Sequence, residues 1–332
     1  MVLYGYTIGE DSNPNSGNQL PVYRFLIPSA PGSIAATLVN TVDITSTVAT
    51  RIDLEGLATN PTTGRVSAVN EARVTNPPNP IDPAVIVVND VRFDSPTVSP
   101  TRTPSDLRRF GFESGADFAG NTLYNISGNP VSANGTVGSS LYQITAPTSA
   151  NPAGTISLVD TFGPATTTAQ TQGTQPTNPG KYADGLAIDN LNPGPTRAFA
   201  SDFDNRDEIA SDNTKNNLYK VDLLTGELSA PIVLRTPSGE NLNVTTISGI
   251  GLDSGLAFTN SGSQRLLALL ENGAVYEITG YQDELAASGL GLGSATGTNG
   301  AGFATATLIG NVNLPNAVSG AIDYEGFTIV NE

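Results

Sequence analysis

The chain has 332 residues, no histidine, no cysteine, and a net charge of −16 from 31 acids against 15 bases. That surplus repels phosphate backbones and anionic bilayers, and no basic stripe offsets it, so nucleic-acid binding is excluded. Without His or Cys there is no Ser-His-Asp triad, Cys-His pair, disulfide framework or His-ligated zinc; chemistry is left to carboxylates, Lys, Arg, Tyr, hydroxyls or an oxygen-ligated metal.

Frequent Gly (35) and Pro (23), with hydrophobic residues at 38%, indicate many short strands joined by turns rather than packed helices. No apolar run approaches the roughly 20 residues that span a bilayer. Residues 1–10, MVLYGYTIGE, lack the basic start and apolar core of a signal peptide. The expected location is extracellular or cell-surface, with an export signal absent from this chain.

In chain order, VLYGYTIGE (2–10), VYRFLIP (22–28) and SIAATLV (33–39) alternate apolar and polar residues and predict three strands. The phrase DLEGLATNPTTGRVSAVNEA (53–72) predicts two more around a turn. AVIVVNDVRF (84–93) reads as a further strand, and RTPSDLRRF (102–110) as one short helical turn. The phrase then returns as SGADFAGNTLYNIS (114–127), followed by SSLYQIT (139–145) and GTISLVD (154–160). It returns again as DGLAIDNLNPGPTRAFASDFD (184–204), followed by NNLYKVD (216–222), the turn LLTGE (223–227) and ELSAPIVL (227–234). A fourth copy, SGLAFTNSGSQRLLALLENG (254–273), precedes AVYEITGY (274–281) and ATATLIGNV (304–312). The last is SGAIDYEGFTIVNE (319–332).

Aligned on Gly56, Gly115, Gly185, Gly255 and Gly320, the copies lie 59, 70, 70 and 65 residues apart by subtraction. Such self-similarity marks a repeat architecture. Four strands per repeat, arranged radially, predict an all-β fold: one β-propeller domain over 1–332 with about five four-stranded blades, six or seven remaining open. In each blade the glycine phrase supplies the innermost strand, A, and RVSAVN, RAFASD and RLLALL supply the next, B. Pairing of the N- and C-terminal strands closes the ring, with SGAIDY as the missing A strand. FTIVNE (327–332) is then surplus. As an unpaired edge it predicts recruitment of a second copy, giving a homo-oligomer or a filament. Residues 72–83, 95–105, 164–181 and 285–301 read as long surface loops.

In an antiparallel blade the start of A and the end of B share one edge. Repetition gathers Asp53, Glu55, Asp184 and Asp253 from A starts, and Glu10, Asp11, Glu71, Asp202, Asp204 and Glu271 from B ends, around one mouth of the axis. Clustered carboxylates without bases suit a hard cation, and Ca²⁺ takes six to eight oxygens in flexible geometry. The predicted metal ligands are Asp53, Glu55, Glu71, Asp184, Asp202 and Asp204; the alternative is an acidic but empty rim. The densest loop, SDFDNRDEIASDN (201–213), lacks the Gly and Glu of an EF-hand, so it is not that motif.

The repeats resemble those of secreted bacterial β-propeller proteins, and DLEGLATNPTTGRVSAVNE is similar to the D-x-E-G-[LI]-A…E signature of phytase-like β-propellers. That resemblance implies Ca²⁺ and phosphoester or ester hydrolysis, with Asp53, Glu55 and Glu71 as metal or acid–base positions. The acidic form occurs once; Ser114, Asp184, Ser254 and Ser319 stand where Glu55 stands. Phosphate hydrolysis also calls for cations, and Lys181, Arg65, Arg197 and Arg265 fall mostly at the opposite edge. Two readings follow: an extracellular, non-enzymatic module for an unidentified ligand or for assembly, stabilised by Ca²⁺, with no catalytic residue; or a Ca²⁺-dependent hydrolase.

Overall fold

A computed structural model describes residues 2–11, 19–43, 54–70, 87–93, 97–98, 101–103, 110, 114–129, 138–145, 154–159, 178–192, 198–203, 216–244, 252–281, 302–317 and 322–332. All their regular structure is β. Among these residues no helix is long and apolar enough to cross a membrane.

The strands form antiparallel sheets in a β-propeller. One sheet joins β1 (Leu3–Asp11), β2 (Gln19–Leu26) and β3 (Ser33–Asp43) to β21 (Ile322–Asn331), which pairs with β1. The next runs β4 (Leu54–Thr59), β5 (Val66–Asn70), β6 (Val87–Val88), β7 (Thr97–Val98). The third runs β9 (Ser114–Ala119), β10 (Thr122–Asn129), β11 (Gly138–Thr145), β12 (Thr155–Val159), with β8 (Thr101–Thr103) added parallel to β12. The fourth is β13 (Gly185–Ile188), β14 (Ala198–Asp202), β15 (Asn217–Val221), β16 (Ile232–Arg235). The fifth is β17 (Ser254–Phe258), β18 (Leu266–Leu270), β19 (Ala274–Thr279), β20 (Phe303–Asn313). At the rim β20 also pairs in parallel with β16 and with β3, stitching three sheets together.

The innermost strands touch in a closed cycle: β4 meets β9, β9 meets β13, β13 meets β17, β17 meets β21, and β21 meets β4. Glycine makes that approach possible. A Cβ on Gly115 would lie 2.5 Å from the Leu186 nitrogen, and one on Gly326 2.9 Å from the Leu57 nitrogen. Behind the glycines, Leu57, Ala116, Leu186, Leu256 and Phe327 close the axis, and the space between them is too small for a water molecule. The apolar core divides accordingly into clusters lying between sheets. Tyr6, Ile8 and Val330 pack on Leu57 and Val66; Leu256 and Leu270 pack on Ala187 and Phe199.

The C-terminal copy of the repeat differs from expectation. FTIVNE is not a surplus strand. Residues 322–331 are one strand, paired with β1 from Leu3↔Asn331 to Asp11↔Ile322 across a bulge at Thr7/Ile8. The glycine that meets its neighbours is Gly326, at φ 74°, whereas Gly320 lies outside the described residues. Counted on Gly326 the intervals become 59, 70, 70 and 71. Two other strand predictions shorten. Among the described residues of 84–93 the strand is Val87–Val88, and it ends where Asp90 accepts hydrogen bonds from the backbone and Nε of Arg92 and turns the chain. In 227–234 the strand begins at Ile232, just past Pro231, which has no N–H for the ladder. The helical turn predicted over 102–110 falls largely outside the described residues, and Thr101–Thr103 is strand.

Candidate metal centre

The pairing of A starts with B ends places carboxylates at one mouth. Ser254 pairs with Leu270, so Asp253 and Glu271 lie side by side just beyond the ladder, and the Glu271 N–H donates to the Asp253 carbonyl at 3.3 Å. The neighbouring β21 brings Glu325, one residue before its glycine. Carboxylate oxygens of Asp253, Glu271 and Glu325 all lie within 4.8 Å of one another. Each of the three is half-buried. Beside them a cavity of about 10 Å³, room for roughly one water or ion, is lined by Ser114, Asp184, Asp253, Ser254, Glu325 and Gly326.

The electrostatics are one-sided. Burial pushes the Glu271 carboxyl well above its ordinary range, and the charges of Asp253 and Asp323 push it further. A hydrogen bond to the Asp253 side chain also favours the protonated form of Glu271. The positioned cations are elsewhere. Arg265 pairs with Glu277 at 2.8 Å, at the opposite end of β18, and Arg24 and Arg92 reach Glu332 beyond the far end of β21. Lys181 is spent on the Leu228 carbonyl at 2.6 Å, and burial lowers its pKa. Three hard oxygen donors at this separation fit a cation such as Ca²⁺, whose ligands lie at about 2.3–2.6 Å.

Of the predicted ligands, Asp184 lines the cavity, with its Oδ1 accepting from the Ser254 hydroxyl at 3.4 Å. Glu55 is buried, and its Oε2 accepts the Ser114 N–H at 2.6 Å, tying β4 to β9. Asp202 is fully buried at the end of β14, opposite Asn217. None of these three belongs to the three-carboxylate group. Asp53, Glu71 and Asp204 lie outside the described residues, as do Asp207, Glu208 and Asp212. Glu325 and Asp323 were not foreseen, although Asp323-Tyr324-Glu325-Gly326 repeats Asp53-Leu54-Glu55-Gly56 and carries the signal in plain view.

No family model matches the sequence, and no curated protein matches it. Among solved structures, the chain is similar to a GH43_1 enzyme from Xanthomonas citri complexed with xylotriose, at 10% identity and a TM-score of 0.34, over 92% of this chain and 73% of that one. It is also similar to a periplasmic gluconolactonase from Pseudomonas aeruginosa, at 13% identity and a TM-score of 0.33, over 83% and 79%. A third is apo AztD from Citrobacter koseri, at 9% identity and a TM-score of 0.30, over 99% and 98%.

Proposed function

We propose that the chain is an extracellular, non-enzymatic β-propeller, a binding or assembly module whose acidic axial mouth is held by Ca²⁺ through Asp253, Glu271 and Glu325. The observation that carries this reading is the grouping of three carboxylates, two of which, Asp253 and Glu325, line a cavity the size of one ion. Unbalanced charge there costs stability, and a divalent cation offsets it. An open set of three side chains belongs with the weak sites of extracellular modules, with Kd of about 10⁻⁴–10⁻³ M.

Titration calorimetry with CaCl₂ tests the reading. Saturable binding, lost in Glu325→Gln and in Asp253→Asn, supports it. Absence of binding heat together with an unchanged melting temperature in Ca²⁺ refutes it. Phosphoester or ester turnover abolished by either substitution would establish the hydrolase instead.

A further inference from the structure

The axis has a second mouth, separated from the acidic one by the closed layer of Leu57, Ala116, Leu186, Leu256 and Phe327. It holds a cavity of about 230 Å³ reached by the C-terminal ends of β4, β17 and β21. Apart from Asp117, its polar side chains are neutral hydroxyls and amides: Thr59, Thr259, Thr328, Asn60, Asn260 and Asn331. No Lys or Arg lines it. Phe258, Pro61, Ile329 and Val330 supply apolar surface between these groups, and the buried carboxyl of Asp117 closes the floor.

The walls are held rigidly. The Thr59 and Thr328 hydroxyls share a hydrogen bond at 2.7 Å, joining β4 to β21. Asn260 sits at φ 48°, a left-handed conformation that Asn tolerates better than most residues. Its Oδ1 accepts the Asn190 N–H at 2.9 Å, and Asn190 Oδ1 accepts the Gly120 N–H at 3.1 Å. The A–B turns of three successive sheets are thereby locked to one another. Asp117 Oδ2 accepts the Ile188 N–H at 2.7 Å, fixing β9 to β13 below them.

We propose that this cavity binds a small, uncharged, polyhydroxylated ring, of the size of one monosaccharide or cyclitol. Neutral hydroxyls and amides satisfy ligand hydroxyls in both senses, as donors and acceptors. Apolar surface beside them suits the C–H face of such a ring. An anionic ligand finds no cation in the lining, and the volume lies below the roughly 300–1,000 Å³ of drug-sized sites, which limits the ligand to a single ring. Burial raises the pKa of the Asp117 carboxyl to about 7, so it is about half ionised at neutrality, and its two oxygens are already engaged by the Phe118 and Ile188 N–H groups.

Saturation-transfer NMR on the full chain tests this, with D-xylose and myo-inositol as neutral probes and D-glucuronate and D-glucosamine as charged ones. The expected result is saturable transfer to at least one neutral probe and at least tenfold weaker response from both charged ones. The double substitution Thr59→Val and Thr328→Val removes a hydrogen-bonded pair while keeping its shape, so folding is expected to persist. It should reduce neutral-probe affinity at least tenfold. No saturable transfer to either neutral probe overturns the proposal, as does equal response from the charged ones. Affinity unchanged in a folded double variant overturns it as well. Ca²⁺ is left out of these titrations, so the outcome is separate from that at the acidic mouth.

Discussion

Gly255 lies directly against Phe327, so that a Cβ added to the glycine would overlap the phenylalanine backbone nitrogen and Cβ. These two residues come from β17 and β21, the last two innermost strands, and their contact is where the end of the chain completes the ring. A methyl group at Gly255 has no flexible neighbour to displace, because what it meets is backbone and the Cβ fixed to it.

Gly255→Ala is therefore expected to destabilise the fold by at least the 1–3 kcal/mol typical of overpacking. Gly32→Ala is the control, since nothing lies within 4 Å of a Cβ there and its backbone is not left-handed. Chemical denaturation should show a marked loss of midpoint for the first and a change within about 0.5 kcal/mol for the second. Equal effects would mean that close approach of β17 and β21 does not limit stability.

The architecture was legible because each copy of the phrase carries its own glycine and alternating strands, and these are local signals. The A-start and B-end rule placed Asp253 beside Glu271 for the same reason: it needs only an antiparallel hairpin. What was misread was the last copy. Two glycines, Gly320 and Gly326, stand six residues apart, and both follow a small or acidic residue. The choice between them is made by packing against Leu57 and Gly255, contacts across more than 70 residues of chain that no local pattern reports. With that register lost, Glu325 is missing from the acidic mouth and FTIVNE becomes a spare strand. The neutral cavity was invisible for a related reason. Thr and Asn at strand ends are ordinary turn residues, and only the ring brings Thr59 to Thr328.

At the acidic mouth, pH and Ca²⁺ should act against each other. Glu271 has a raised folded-state pKa, so between its ordinary pKa and the raised one the folded chain holds a proton that the unfolded chain has released. Stability then falls as pH rises through that window. Ca²⁺ binds the ionised carboxylates, so its stabilisation should grow over the same range. Melting curves at about pH 5 and about pH 8 should show a fall in the absence of Ca²⁺ and a smaller fall with it. Glu271→Gln should flatten the Ca²⁺-free dependence. A dependence unaltered by that substitution would remove Glu271 as its source.

Asp117 predicts a second, Ca²⁺-independent component. Its pKa rises to about 7 through burial, opposed by the Ile188 and Phe118 N–H groups that donate to its two oxygens. Between about pH 4 and 7 the folded state again carries the extra proton, so this component also falls with rising pH. Asp117→Asn keeps one acceptor and loses the other, leaving a buried N–H unpaired at a cost of about 1–3 kcal/mol. The variant should be less stable at every pH, with a shallower slope below about pH 7. Denaturant midpoints across that range read both effects; a slope equal to the parent's would show that Asp117 stays ionised throughout.

Removal of residues 327–332 distinguishes an innermost strand from a surplus one. Phe327, Ile329 and Val330 are buried, Thr328 bonds Thr59, and Leu3 to Thr7 lose their partners if these residues go. Glu332 adds a clasp, accepting from the Tyr6 hydroxyl at 2.5 Å and from Arg24 at 2.9 Å. Two core clusters meet on this segment, one containing Phe327 and Ile329, the other Val330. Burying three large apolar side chains contributes about 1.5–3 kcal/mol each, together comparable with the 5–15 kcal/mol that holds a typical protein folded. The truncated chain should lose cooperative unfolding and expose apolar surface to a dye such as ANS. A truncated protein that still melts cooperatively near the parent temperature would return 327–332 to the role of a dispensable edge.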